Sequence, residues 1–328
     1  MNILNSNINE KKISVIICTD KRKDYIIEAT RSADSQTFKR EEYEIIVVKR
    51  FFDKLIDEQL ESLCDSLLYV ESDWQGQKWL EAINKSRGKL LCFLDDDDIF
   101  SRFKLEMTWD NYTKYNFKYM RNNMLPFGEN LPQDTIKPLG ITLNILPEKK
   151  VVKKSKLIAK KTPKISSSTT TIERDLCLKY EGLIKNSKIT FDTLCFYIAL
   201  DSGCEITLDT SILTFYRIHN SFTGTPNIIS ALDVYLEDYE NIGTKLQNET
   251  LKLLLRNDVF TLKLLKFIFK TDQRPRFSDF MHFTVFSTPG RMRLKLFFML
   301  LYFVSFIRLK TAMNLYIKLN HISKESIK

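Results

Sequence analysis

The sequence predicts an α/β fold with a mainly parallel central sheet flanked by helices, followed by a helical C-terminal region. Three observations carry this expectation. Short apolar runs rich in β-branched residues alternate with helically spaced segments through residues 13–94. The polar residues between them cluster after the apolar runs. From Ile228 onward the pattern is helical, with apolar blocks separated by Lys and Arg.

Taken in order, Ile13–Cys18 (ISVIIC) reads as a buried strand and Asp24–Thr37 as a helix with Ile27, Thr30 and Ala33 on one side. Tyr43–Val48 (YEIIVV) is a second strand, Phe51–Leu63 a helix and Leu67–Val70 a third strand. Gly76–Ser86 is a helix that Gly88 stops, and Lys89–Leu94 (KLLCFL) is a fourth strand running into Asp95–Asp98. Strand–helix alternation at this spacing predicts βαβ units, in which ligands bind beyond the carboxyl ends of the strands. The Thr19–Arg22 loop, the Lys49–Phe52 loop and the four aspartates all fall at such ends. Arg102–Tyr119 reads as a helix, and residues 120–165 as irregular with hairpin content around Lys137–Leu146. Ser166–Ile172 is β-prone, Glu173–Tyr180 and Asp192–Ser202 are helical, and Glu205–Leu208 and Ile212–Tyr216 are strands. The expected organisation is a first domain over 1–225, with halves at about 12–105 and 120–225, and a basic-apolar helical region over 226–328.

Composition narrows the function classes. With 44% apolar and 28% charged residues, the 328-residue chain is a packed globular protein. The net charge of +9 is unevenly spread: residues 251–328 carry +11 and residues 147–164 carry +7, which leaves −9 on the rest. An acidic body with a basic insert and tail does not fit a uniformly basic nucleic-acid binder, and no nucleic-acid motif is present. The six cysteines form no C-x-x-C pair and read as small buried side chains in a reducing compartment. The N-terminus lacks an apolar signal core. The longest uncharged apolar run, Leu296–Ile307, has 12 residues against the roughly 20 that a spanning helix needs. These points suggest a cytoplasmic chain.

Four consecutive aspartates after an apolar strand raise each other's pKa unless a cation relieves them. An all-oxygen cluster suits Mg²⁺ or Mn²⁺, which often hold substrate phosphates as well. The alternative is a solvated acidic turn capping the next helix. Position at a strand's carboxyl end favours the metal site.

The stretches Val15–Arg22 (VIICTDKR), Tyr43–Val48 and Gly76–Phe100, the last containing Phe93-Leu94-Asp95-Asp96-Asp97-Asp98, resemble the nucleotide-sugar half of the family-2 glycosyltransferases. The resemblance implies a GT-A fold of the Rossmann-like type and transfer of a sugar, with inversion, from a nucleoside-diphosphate-sugar to an acceptor hydroxyl. It implies that Asp95 lies near the ribose and metal and that Asp97 binds the Mg²⁺ or Mn²⁺. Thr19, Lys21, Arg22 and Asp96 would line the donor, with Lys78 a further contact unless it is a solvated helix lysine.

Weaker matches follow in the second half. Phe191–Gly203 fits the family's acidic helix opening, so Asp192 is the candidate general base, or else a helix N-cap. Leu213–His219 resembles the family's Tyr-Arg-x-His segment, in which Arg217 would hold phosphate and His219 would ligate the metal. One departure stands out. Where the family commonly has Asp-Asp-Gly-Ser after its second strand, this sequence has Lys49-Arg50-Phe51-Phe52. The acid that would contact the base is missing, and a basic pair there is placed to meet phosphate or an anionic acceptor.

Beyond residue 251 the apolar-basic alternation fits either a helical bundle or a surface resting on anionic lipid. The latter suits a lipid-linked glycan or polysaccharide acceptor and a peripheral position on the cytoplasmic face of a membrane. Other classes compatible with the residues are a hydrolase or phosphotransferase using the same acids, a non-catalytic binding protein with a decayed donor site, and a membrane scaffold.

Overall fold

The structure, a computed structural model, describes residues 10–134, 137–138, 140, 142–145, 166–218, 229, 231–270, 273–286 and 292–319. His219 and the Lys-rich segment 147–164 lie outside them. The chain divides into two compact units, one holding the described residues up to Ile218 and the other those from Ile229.

The first unit begins with β1 (Lys11–Cys18), α1 (Ile26–Asp34), β2 (Tyr43–Lys49), α2 (Lys54–Leu63), β3 (Ser66–Tyr69), α3 (Gln75–Lys85) and β4 (Gly88–Asp95). It continues through β5 (Ile99–Phe100), α4 (Lys104–Tyr115), β6 (Tyr119–Phe127), β7 (Thr142–Ile145) and β8 (Thr170–Glu173). It closes with α5 (Arg174–Lys179), α6 (Glu181–Ile184), α7 (Phe191–Asp201) and β9 (Ile206–Arg217). The strands form one sheet of order β3-β2-β1-β4-β8-β6-β9-β5, with β7 also on β9. The four N-terminal strands are parallel, as the βαβ spacing predicts, and β8 pairs antiparallel with both β4 and β6. β6 and β9 are parallel. The sheet is therefore parallel over the first half and mixed beyond it.

β1, β2 and β4 are continuous apolar runs because both faces of this sheet region are covered. Ile13, Val15, Ile17, Ile45, Val47, Leu90, Cys92 and Leu94 share one core with Ile26, Ala29 and Ala33 of α1. All six cysteines are free, and four are buried.

Several boundaries move for local reasons. α2 starts at Lys54 because the Asp53 side chain caps it, accepting from the Ile56 amide at 3.4 Å. α4 stops at Tyr115 because Asn116 turns left-handed (φ 48°), and its amide bonds Tyr112 O at 2.8 Å. Gly88 is not a helix stop: it opens β4 and lies flat against β1. Its amide donates to Ser14 Oγ at 2.8 Å, and an added Cβ would lie 2.3 Å from the Ser14 nitrogen. The described part of the expected hairpin is β7, which pairs with β9. The two strands expected at 205–216 are one, bent by register shifts opposite Arg121–Met124.

In the second unit, α8 (Leu232–Lys245), α9 (Glu249–Lys270), α10 (Phe277–Phe286), α11 (Met292–Ile307) and α12 (Leu309–Leu319) enclose a core around Phe260, Leu264, Phe280, Tyr302 and Tyr316. Phe280 stacks on Tyr302 with centroids 4.4 Å apart. Lysines of α9 are matched to acids of α8, with Lys263–Glu240 at 2.8 Å and Lys266–Asp233 at 2.8 Å. Among the described residues, no helix is long and apolar enough to cross a membrane.

The tight β1–β4 contact yields a stability test. Gly88→Ala should destabilise the protein by about 1–3 kcal/mol, the usual cost of overpacking. Urea unfolding checks this, and an unshifted midpoint would contradict the close approach.

Candidate active site

The carboxyl ends of β1 and β4 are in register, with Cys18 opposite Asp95. This places the Thr19–Arg22 loop beside the aspartates. The Thr19 hydroxyl donates to Asp96, and Thr19 Oγ1 lies 2.8 Å from the Arg22 carbonyl oxygen. The Arg22 guanidinium pairs with Asp96 at 3.2 Å and with Asp97. The aspartates form a tight turn closed by the Asp98 amide on Asp95 O at 3.2 Å.

Two other elements hold the turn from behind. Ser168, in the 3-10 turn Ser167–Thr169 directly before β8, donates to Asp98 Oδ2 at 2.6 Å and accepts the Asp95 amide at 3.0 Å. At the end of β9 the Arg217 amide donates to Asp98 Oδ1 at 3.1 Å, and its Nε donates to the Asp97 carbonyl at 3.0 Å. The Arg217 guanidinium also pairs with Glu28 and lies over the Tyr25 and Phe127 rings at 4.3 and 4.6 Å. Arg217 is thus a clamp on the acidic turn.

The expected general base arrives on α7. Its first residue, Phe191, stacks on Trp79 of α3 at 4.9 Å and meets Phe93 of β4 edge-on at 4.9 Å. Phe93 lies two residues before Asp95, so this aromatic triad ties the start of α7 to the acidic strand end. Asp192 is not the N-cap, a position held by Thr190. It sits in the first turn and accepts the Thr193 amide at 2.6 Å. A helix N-terminus favours a carboxylate there.

The electrostatics follow from this crowding. Burial holds the Asp95 carboxyl well above the usual carboxylate range, and Asp98, Asp97 and Asp192 push the same way. Asp98 is pushed up to about 7 by burial and by Asp97. Burial also raises Asp192, while the Thr193 amide and Arg121 oppose it. Asp192 and Asp95 therefore lie in one electrostatic neighbourhood.

Not every sequence-predicted residue joins the cluster. Lys21 is exposed and makes no hydrogen bond or ion pair among the described residues. Lys78 is not a solvated helix lysine: it is buried and bonds Asp20 at 2.8 Å. Lys49 and Arg50 are committed internally, Lys49 to Asp57 at 2.9 Å and Arg50 to Asp73 and Asp20. That basic pair does not stand ready for phosphate.

Three residues escape the sequence reading. Ser168 sits in a hydroxyl run legible only as β-prone. Asp98 is one aspartate among four. Arg121 lies in β6, a strand whose YMRNNMLPF carries no clear alternation. It is 1% exposed, its Nε and Nη2 have no hydrogen-bond partner, and it lies over Phe196 at 5.1 Å.

The carboxylate oxygens are of the chemical type that a hard divalent cation takes. Asp96 and Asp97 are balanced by Arg22, and Asp98 is held by Ser168 and an amide. No side chain among the described residues forms an ion pair with Asp95. No group of three or more His, Cys, Asp or Glu able to enclose a metal ion occurs among the described residues. Two carboxylates suffice where substrate phosphates and water complete the shell.

Residues 14–128 match the model of Glycosyl transferase family 2. No curated protein sequence matches it significantly. Among solved structures, S. aureus TarS 1-349 in complex with UDP-GlcNAc aligns with a TM-score of 0.58 at 15% identity, covering 84% of this chain and 80% of that one. The mannosyltransferase PcManGT from Pyrobaculum calidifontis, in complex with GDP-Man and Mn2+, aligns at 0.55 and 12% identity over 95% and 87% of the two chains. A longer S. aureus TarS structure aligns at 0.55 and 17% identity over 80% of this chain, which spans only 46% of that one. At these identities the likeness establishes the GT-A-type α/β fold.

A pH test follows. A carboxyl whose pKa rises on folding binds more protons folded than unfolded, so its neutral form is favoured and stability falls as pH rises. With Asp98 moved from 3.8 to about 7, the metal-free protein should lose unfolding free energy between those values. Asp98→Asn should flatten that slope. Denaturant melts across the window check this, and a wild-type curve already flat there would contradict it.

Proposed function

We propose that this glycosyltransferase moves a sugar from a nucleoside-diphosphate-sugar to an acceptor hydroxyl by direct, inverting displacement, with Asp192 as the general base. The observation that carries the reading is the Trp79–Phe93–Phe191 packing, which ties the start of α7, one residue before Asp192, to β4, two residues before Asp95. A base must stand beside the reacting centre, and the carboxyl end of β4 is where this fold class binds ligands. The UDP-GlcNAc and GDP-Man of the two structural neighbours supply the donor class.

Asp95 and Asp97 would hold Mg²⁺ or Mn²⁺, which when bound offsets the negative charge on a leaving diphosphate. Thr19, Arg22 and Asp96 form the donor side of the site. Exposed Lys21 is the cation of this loop left to meet a phosphate, while Lys78 acts through Asp20. Arg217 fixes the acidic turn, and His219 remains a candidate ligand. Burial raises Asp192 while Arg121 opposes the rise. Arg121 therefore works against protonation of the base.

The acceptor is a glycan or lipid-linked saccharide, reached from the cytoplasmic face of an anionic membrane through the C-terminal region. One observation favours a second reading, a binding protein with a decayed donor site. The end of β2 offers Lys49 and Arg50, both already bonded within the chain, in place of an acid for the base.

Turnover separates the two readings. With Mn²⁺, a panel of UDP- and GDP-sugars and a glycolipid acceptor fraction, the enzyme should release nucleoside diphosphate. Asp192→Asn should slow release about 10²–10⁴-fold while preserving thermal stabilisation by the donor. Stabilisation without turnover in the wild type would favour the binding protein. Arg121→Met should move the acidic limb of the pH–rate profile to higher pH, because the base loses the cation that holds its pKa down. An unmoved limb would remove Arg121 from the mechanism.

A further inference from the structure

Eight of the fourteen exposed large apolar side chains among the described residues lie on α10 and α11. They are ordered. Phe277, Met281 and Val285 recur every four residues along α10, and Leu300, Phe303 and Ile307 follow at i, i+3 and i+7 along α11. Ile307 is 87% exposed and Val285 66%. The two stripes flank a packed seam, where the exposed Phe303 ring meets the buried Phe280 edge-on at 5.1 Å. Scattered apolar side chains need no explanation, but two adjoining ordered stripes mark an interaction surface.

Charge identifies the occupant. Residues 273–319 hold eight Lys and Arg against the single acid Asp279. Lys263, Lys266 and Lys270 of α9 are matched to acids of α8. Arg276, just before α10, and Arg308 and Lys310, at the α11–α12 junction, form no ion pair with a carboxylate among the described residues. A second copy of this chain docked face to face would bring these cations together. An anionic bilayer meets both features, since its headgroups take the guanidinium and ammonium groups while its acyl boundary takes the apolar stripes. At 1.5 Å per residue the 16 residues of α11 reach about 24 Å, short of the roughly 30 Å hydrocarbon core. Such a helix lies in the interface.

We propose that the α10–α11 face is the surface by which this protein rests on an anionic lipid bilayer, with Phe277, Val285, Leu300, Phe303 and Ile307 entering the acyl boundary. The proposal rests on the reading of a membrane-borne acceptor and names the surface that reading requires.

The test is co-sedimentation of the full chain with phosphatidylglycerol-containing vesicles and with pure phosphatidylcholine vesicles. Binding should be strong to the anionic vesicles and weaken with salt. The triple variant Phe277→Ser, Leu300→Gln, Ile307→Gln should bind at least about tenfold more weakly while melting as the wild type does. Phe303→Trp supplies a readout that does not depend on lost binding. The native tryptophans are Trp74, Trp79 and Trp109, all in the first unit, so brominated lipid should quench the new fluorescence well beyond the wild-type level. If the wild type binds anionic vesicles but the triple variant binds equally and the introduced tryptophan is unquenched, this face is wrong and the membrane reading survives. If the wild type stays in the supernatant, both fail. A dimer in light scattering that the triple variant splits would assign the face to a second copy and overturn the proposal.

Discussion

Five carboxylates, Asp95–Asp98 from one strand end and Asp192 from a helix start, are gathered into a partly buried space, and most of the first unit can be understood from that constraint. Two like charges about 4 Å apart repel by ~4 kcal/mol at an effective dielectric of 20, and burial adds a desolvation cost. A fold that brings such groups together must answer each of them. Arg22 answers Asp96 and Asp97, Ser168 and the Arg217 amide answer Asp98, and the Thr193 amide and Arg121 answer Asp192. Asp95 forms no ion pair with a cation among the described residues, and its carboxyl is held well above the ordinary range.

These answers come from elements far apart in sequence, and the sheet order brings them together. β1 lies beside β4, which puts the Thr19–Arg22 loop against the aspartates. β8 lies on the other side of β4, which brings Ser168 under the turn. β5, directly after the aspartates, pairs with the end of β9 and so aligns Arg217 with Asp97 and Asp98. The antiparallel strands of the second half are what let the chain return to the acidic end of β4.

The first half of the fold is legible in the sequence because β1, β2 and β4 are buried on both faces and so read as unbroken apolar runs. The acidic motif is legible for the same reason, as charge following such a run. β6 is not. It buries Arg121 and Asn122, and Asn122 reaches Thr214 through a 3.1 Å hydrogen bond that exists only once β9 has come alongside. Gly88 misleads because a glycine after a helix suggests a cap, whereas its missing side chain serves the contact with Ser14. Lys78 and Lys49 show that a polar residue in a sequence carries no mark of its partner. Asp20 reaches Lys78 from the loop after β1, and Asp57 reaches Lys49 from α2. The C-terminal region is legible as apolar and basic, but which lysines are matched to α8 and which arginines face no acid requires the packing of the helices.

Asp95, with no cationic partner among the described residues, is where a divalent cation and a nucleoside diphosphate would be met. Calorimetric titration of Mn²⁺ into the protein, with and without UDP or GDP, tests it most directly. Nucleotide should tighten Mn²⁺ binding, and Asp95→Asn and Asp97→Asn should each abolish that coupling while leaving the fold intact. Nucleotide binding of equal strength with and without divalent cations, in the wild type and both variants, would contradict the account.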